Sequence, residues 1–304
     1  MSASYGNEFG PLAEVAAELG LSAEHLPPVR RIDIDCDGQR VSAIAWGPGA
    51  PDVVFLHGGS QNAHTWDLLS VELRMNALAI DLPGHGQSDW RADHDYSPSQ
   101  NALAIARVLD EVAPDAQLVV GMSFGGLSLI ALAATRPDLV RRALLVDILP
   151  ELPAGRSHRD RDRLVELRRR SAERYRSRDE MVNQAIAVAR RRTRASLARG
   201  VFHNSVQDPD GWWRWRYDPG RMSSERSPDG NERLWHGMVT LPPGTKLVRG
   251  ALSTFVGEDS LARLREAARH VDVETVADAG HAVQSDQPRA LATIVREMLE
   301  PKAE

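Results

Sequence analysis

The sequence predicts an α/β protein: a mostly parallel central sheet with helices on both faces, interrupted by an inserted and mostly helical segment. Three observations lead to that fold class. Short apolar runs, among them Asp52 to Leu56, Ala77 to Asp81, Ala116 to Val120 and Ala143 to Asp147, have the length and composition of strands buried on both faces. Stretches of helical composition separate the later runs, and in such βα repeats ligands bind beyond the C-terminal ends of the strands. The rhythm stops at Pro150 and resumes at Lys246-Leu247-Val248-Arg249-Gly250, so residues 1–150 and 244–304 are expected to form one core, with 151–243 inserted as a lid or cap.

In chain order, residues 11 to 26 suit a short amphipathic helix broken at Gly20 and closed by Pro27-Pro28. Val29 to Asp37 and Arg40 to Trp46 alternate like two half-buried strands, and Asp37-Gly38 between them signals a hairpin. Ser97 is placed to cap a helix reaching about Val112, and a further helix should follow the Gly121 to Gly126 turn, from Leu127 to Leu139. Gly155 to Arg199 reads as two or three very basic helices. After the insertion come a helix at Ser260 to Ala268, a strand at Val271 to Val276 and a last helix from Gln287 to Leu299.

Composition narrows the function classes. The 304 residues can bury a full core, and a hydrophobic fraction of 42% with 26% charged residues is that of an ordinary globular protein. A net charge of −5 gives no reason to expect nucleic acid or an acidic membrane as partner. The early glutamates Glu8, Glu14, Glu18 and Glu24 do not suit a signal peptide, and no apolar stretch reaches the length of a membrane span, so a cytoplasmic location is expected. Cys36 is the single cysteine, which excludes an internal disulfide and a cysteine-rich metal site. The chain carries fifteen arginines between Gly155 and Gly200, interleaved with acids, and this pattern is read as solvated helix faces with i,i+4 ion pairs.

The chemistry centres on Gly121-Met122-Ser123-Phe124-Gly125-Gly126. A β-prone run precedes it and a helical run follows, which puts Ser123 on a sharp strand-to-helix turn where glycines relieve steric conflict. Such a serine is a candidate nucleophile at a helix N-terminus. It needs a base, an acid to orient the base, and donors for the developing oxyanion. His281 in Asp278-Ala279-Gly280-His281 lies just past the last strand, the position expected of the base. For the acid, Asp147 at a strand end and Glu258 or Asp259 after the following strand compete; placement favours Asp147. The His57-Gly58-Gly59 loop at another strand end suits an oxyanion loop, with the N–H groups of Gly59 and Phe124 as donors. Asp81 to Gly86 reads as a structural turn near the site.

These segments together resemble the α/β-hydrolase superfamily in its lid-bearing branch. The resemblance rests on His57-Gly58-Gly59 followed by Trp66, the Asp81 to Ser88 turn, the Gly121 to Gly126 elbow, and Gly280-His281 with Asp286 and Pro288 behind it. It implies an α/β-hydrolase fold and leaves the substrate open. Serine at 123 departs from the aspartate of dehalogenases and epoxide hydrolases. Ala282 and Thr254 depart from the C–C hydrolases of ring-cleavage products, whereas Asp147-Ile148-x-Pro150 is similar to small esterases whose acid follows the earlier strand.

The expected function is a cofactor-independent serine hydrolase acting on an ester or lactone of a moderately apolar small molecule. His57 and Trp66 near the oxyanion loop, and Trp213 and Trp215 in the aromatic stretch of the insertion, are assigned to substrate contact, although alternation in that stretch equally suits a strand packed within the lid. No metal is expected, and oligomeric state is left open. A C–C hydrolase and a ligand receptor with little turnover are the competing readings.

Overall fold

The structure is a computed structural model that describes residues 7–151, 172–189, 191–220 and 228–300. The expected basic helices upstream of residue 172 therefore lie outside the described residues. Eight strands form the central sheet: β1 (Val29–Cys36), β2 (Gln39–Trp46), β3 (Val53–Leu56), β4 (Ala77–Ile80), β5 (Leu118–Met122), β6 (Ala143–Val146), β9 (Lys246–Gly250) and β10 (Asp272–Val276). A separate two-stranded ribbon, β7 (Ser205–Gln207) with β8 (Trp213–Trp215), lies between β6 and β9 in sequence. The central sheet runs in the order β1-β2-β4-β3-β5-β6-β9-β10. Only β1 and β2 are antiparallel to their neighbours; from β4 onward every pair is parallel. The hairpin joining β1 to β2 turns through Asp37 and Gly38, both with positive φ (57° and 83°), as the Asp-Gly pair demands.

Alternation along the strands divides the core into two layers. Val54 and Leu56 face one layer and Val53 and Phe55 the other, and all four are fully buried. Helices α3 (Pro98–Val112), α4 (Phe124–Thr135), α7 (Pro228–Met238) and α8 (Glu258–Ala267) cover the first layer. The other is covered by α1 (Leu12–Glu18), α2 (Asp67–Leu73) and α10 (Pro288–Leu299). Local chemistry sets their ends. The Ser97 hydroxyl accepts from the Gln100 N–H and Pro98 occupies the first turn of α3, while α1 stops before Gly20, whose φ is 67°. Helices α2 and α7 were not expected from the sequence. Between β6 and β9 the described residues also contain α5 (Arg178–Val188) and α6 (Arg194–Asn204), and Val283–Asp286 forms the one-turn α9. No described helix is long and apolar enough to cross a membrane.

A partly buried polar clamp ties the N-terminal segment to the sheet. Glu8 Oε1 accepts from the Arg31 guanidinium (2.7 Å from Nε), from His64 Nε2 (3.0 Å) and from Gln87 Nε2 (2.9 Å). Arg31 also reaches Asp81 at 2.8 Å, and His64 Nδ1 donates to Asp67 at 2.9 Å. Burial alone would lower the His64 pKa, but Asp67 and Glu8 overcome it and push the imidazole up to about 9. Burial works against ionised Glu8 too; its bonds to His64 and Arg31 win and hold it at about 2. A histidine raised in the fold stabilises fully below its unfolded value near 6.5, and that contribution fades as pH rises through about 9. Glu8 contributes above its ordinary 4.5 and loses it as pH falls toward 2. The melting temperature should therefore decline between pH 6.5 and 9, and His64→Gln should flatten the decline while lowering the plateau. An equal decline in wild type and variant would assign the alkaline loss to other groups.

Candidate active site

The strand-to-helix turn after β5 has the geometry that its glycines allow. Ser123 sits at φ 51° and ψ −116°, a left-handed backbone that side chains rarely adopt. Its N–H donates to Val146 O at 3.1 Å, tying the strained residue to the end of β6. A Cβ on Gly121 would lie 2.7 Å from Gly125 O, and one on Gly125 would lie 2.3 Å from Leu56 O. Neither neighbour can yield, because both are backbone.

Three loops converge on this serine. His281, between β10 and α9, places Nε2 3.0 Å from Ser123 Oγ and Nδ1 2.7 Å from Asp147 Oδ2. Asp147 follows β6 with φ 52°, and its N–H donates to Val248 O at 2.7 Å. Its side chain is fully buried, so its oxygens need donors. Oδ1 accepts from the Gly250 N–H at 3.1 Å, and Oδ2 accepts from the Ser253 hydroxyl as well as from His281. The Phe255 ring stacks on the imidazole, with centroids 3.4 Å apart and planes 10° apart. Gly250 is where β9 meets the histidine loop: a Cβ there would stand 2.2 Å from Gly280 O. The competing acids lie elsewhere. Glu258 and Asp259 open α8, and exposed Glu258 pairs with Arg249 at 3.0 Å.

The loop after β3 approaches from the other side. Neither the Gly59 nor the Phe124 N–H has a protein acceptor among the described residues. His57, assigned above to substrate contact, is instead wholly buried: Nδ1 donates to Gly58 O at 2.8 Å, and Nε2 accepts the Leu82 N–H at 3.0 Å. Both ring nitrogens are thus occupied in shaping the loop. Trp66 is also corrected. It is fully buried against Phe55, with ring centroids 4.9 Å apart, because the chain enters α2 with this side chain turned toward the sheet.

A cavity of about 300 Å³ lies between the loop after β3 and the segment between β6 and β9. Ser60 and Gln61 of the β3 loop and Ser285 beyond His281 line one side, and Leu197, Trp215 and Tyr217 the other. Ser60 and Gln61 directly follow Gly59, and Ser285 lies four residues beyond His281, so the chamber is walled in part by the two loops that carry those residues. Trp215 lines this space, whereas Trp213 does not. Trp213 exchanges backbone hydrogen bonds with Tyr175 (2.8 Å each) and carries the Arg178 guanidinium 4.1 Å from its ring centroid.

His64, Asp67 and His203 bring possible metal-ligand atoms within 4.8 Å of one another. Their hydrogen bonding argues for an ion-pair clamp. His64 has both nitrogens engaged by carboxylates and a pKa of about 9, so at neutral pH it holds protons where a metal would need a lone pair. His203 stacks on it at 3.5 Å and is kept well below the ordinary imidazole range, first by burial and then by the His64 charge.

Sequence reasoning missed Ser253 and Phe255. They stand in the loop considered above only for its carboxylates, and neither residue type carries a signal for its role.

Comparison with known proteins accords with this architecture. A model of the alpha/beta hydrolase family matches residues 53–294. Esterase Rv0045c of Mycobacterium tuberculosis is 44% identical over 298 residues, 97% of each chain. One solved structure of that esterase superposes with a TM-score of 0.85, covering 98% of this chain and 100% of the other. Lipase LipV of the same organism is 29% identical over 275 residues, 84% of this chain and 97% of its own. The structure of E-2-(acetamidomethylene)succinate hydrolase shares the fold, with a TM-score of 0.78 at 20% identity over 90% of this chain and 100% of that one. The chain described here belongs to the alpha/beta hydrolase family.

Proposed function

We propose that this protein is an esterase that hydrolyses small, moderately apolar esters or lactones through an acyl-enzyme on Ser123. The observation that carries the reading is the unbroken contact line from Ser123 Oγ through both nitrogens of His281 to Asp147. With Nδ1–H donated to Asp147, the neutral imidazole presents the lone pair of Nε2 to the serine hydroxyl. As Oγ attacks the carbonyl carbon its proton passes to Nε2, and Asp147 stabilises the imidazolium. The N–H groups of Gly59 and Phe124 receive the oxyanion, helped by the N-terminal dipole of α4. Collapse of the tetrahedral intermediate transfers the Nε2 proton to the departing alcohol. Water, deprotonated in turn by Nε2, then releases the acid. An ester rather than a C–C bond is favoured by the 44% identical esterase. The segment between β6 and β9 acts as the lid, walling the chamber opposite Ser60 and Gln61.

Three measurements test this reading. Ser123→Ala and His281→Ala should each remove nearly all turnover of p-nitrophenyl esters, and the double variant should be little worse than either, because the two residues act in one step. Losses that multiplied would separate their roles. Asp147→Asn should lower kcat by on the order of 10²–10⁴, since an amide keeps the shape but not the charge. Glu258→Gln and Asp259→Asn should each change kcat by less than about tenfold if they serve only the first turn of α8; a crippled Asp259→Asn beside a near-normal Asp147→Asn would reverse the assignment. Finally, Trp215→Ala should reorder the preference among ester chain lengths, whereas Trp213→Ala should lower the melting temperature and scale all esters alike. Chain-length reordering by Trp213→Ala alone would place the chamber wall elsewhere.

A further inference from the structure

A second cavity, of about 230 Å³, lies at the seam between the core and the β7–β8 ribbon. Its core wall holds Glu8, Arg31 and Asp81, and from the other side Arg178 and Arg216 face it. The two walls differ in how their charges are satisfied. On the core side every carboxylate is occupied: Glu8 takes Arg31, His64 and Gln87, and Asp81 takes Arg31 together with the N–H groups of Ala63 and Gln87. The opposite guanidiniums have no ion-pair partner within 4.0 Å among the described residues.

Both arginines are nevertheless held in place. Arg178 Nε donates to Ser205 Oγ at 3.0 Å, and Arg216 Nε donates to the backbone oxygen of the same residue at 3.1 Å. Ser205 therefore gathers two like charges at one point. The Arg178 guanidinium is further set between the rings of Trp213 and Phe202, 4.1 and 4.7 Å from their centroids. Burial, and then the neighbouring Arg216 charge, pulls the Arg178 pKa below its ordinary value; burial is also the first cause of the lowering at Arg216. Around the cavity and the adjoining clamp, protonated His64 and three arginines face the carboxylates of Glu8, Asp67 and Asp81. One positive charge remains uncompensated, on the wall where the terminal NH₂ groups of Arg178 and Arg216 have no protein acceptor among the described residues.

We propose that this seam is a binding site for a small tetrahedral oxyanion, either inorganic phosphate or the phosphoryl group of a small phosphomonoester. Two forked guanidiniums, each fixed through its Nε group, offer four terminal NH₂ groups, which suits an anion with three or more acceptor oxygens. The volume admits such an ion with a few waters, below the range of sites for drug-sized ligands. Because Arg178 and Arg216 lie in the segment between β6 and β9 and Arg31 in β1, the bound anion would brace that segment against the sheet.

The test is thermal denaturation of the full chain against phosphate concentration, with sodium chloride holding ionic strength constant, alongside isothermal titration with phosphate, glycerol 3-phosphate and acetate. Wild type should gain several degrees in a saturating fashion with phosphate, and Arg178→Gln or Arg216→Gln should weaken binding at least tenfold, with Arg216→Lys intermediate. Glycerol 3-phosphate binding as tightly as phosphate would identify the phosphoryl group of a larger molecule as an acceptable source; its failure to bind would restrict the site to the free ion. Should either glutamine variant fail to fold by far-UV CD, titration of the other carries the comparison. Equal stabilisation of wild type and both variants, the same response to acetate, or no heat of binding in wild type would each overturn the proposal. Competitive inhibition of ester turnover by phosphate, unchanged in the variants, would place the ion at Ser123 instead.

Discussion

A buried carboxylate with no arginine or lysine paired to it among the described residues governs the C-terminal edge of the sheet. Asp147 is fully enclosed, and such a group is tolerable only while its oxygens are met by donors. One donor is the Gly250 N–H, which requires the end of β9 to lie beside the end of β6, in the register that pairs Val146 with Val248. Another is Ser253, which requires the chain after β9 to fold back over the same carboxylate. The third is His281, whose loop can approach only because position 250 carries no side chain. Strand order, two loops and the contact line to Ser123 are thus consequences of satisfying one group. In the proposed reaction, only the imidazole among these three donors gains a charge as it takes the serine proton.

The serine is constrained from the opposite direction. Its positive φ is a conformation that costs on the order of 1–3 kcal/mol, and it persists because backbone surrounds it on both sides. Val146 O holds its N–H, and α4 rests against the end of β3 so closely that Gly125 has only Leu56 and His57 carbonyls where a side chain would be. His57 then fixes the loop that follows by bonding to Gly58 O and to the Leu82 N–H. Elbow and loop therefore keep a common reference in β3, which is what a shared oxyanion site would need.

This division explains which features were legible in the sequence. Continuous apolar runs and glycine spacing report on strand burial and close backbone approach, so the core strands, the elbow and the position of His281 could be read directly. The direction in which a loop side chain points is set by contacts far along the chain. His57 and Trp66 stand near the expected loop, yet the Leu82 N–H captures one and Phe55 stacks on the other. Helix α2 has only seven residues and little periodicity to display. The Glu8 clamp joins residues 23, 56 and 79 positions apart, and no local pattern announces it.

Arginines and tryptophans of the segment between β6 and β9 were read as separate features, solvated charge on one hand and, on the other, an aromatic stretch that either contacts substrate or packs as a strand within the lid. Among the described residues they form one layered arrangement. Arg174 and Arg176 lie over Trp212, Arg178 over Trp213, and Arg214 over Trp90. Each guanidinium keeps an edge for hydrogen bonding while its face covers an aromatic ring, an arrangement that lysine's ammonium cannot reproduce. Alternation along β8 then separates two roles within three residues: Trp213 receives the cation, and Trp215 turns toward Tyr217 and the chamber, with those two rings stacked 6.0 Å apart. Arg178 of α5 and Arg216 just after β8 thus form a cationic wall at the seam near Asp81, while Trp215 faces the space lined by Ser60. Stacked His64 and His203 line both cavities, and burial keeps His203 neutral beside charged His64. A second charge there would meet the first across rings stacked 3.5 Å apart, which the burial of His203 disfavours.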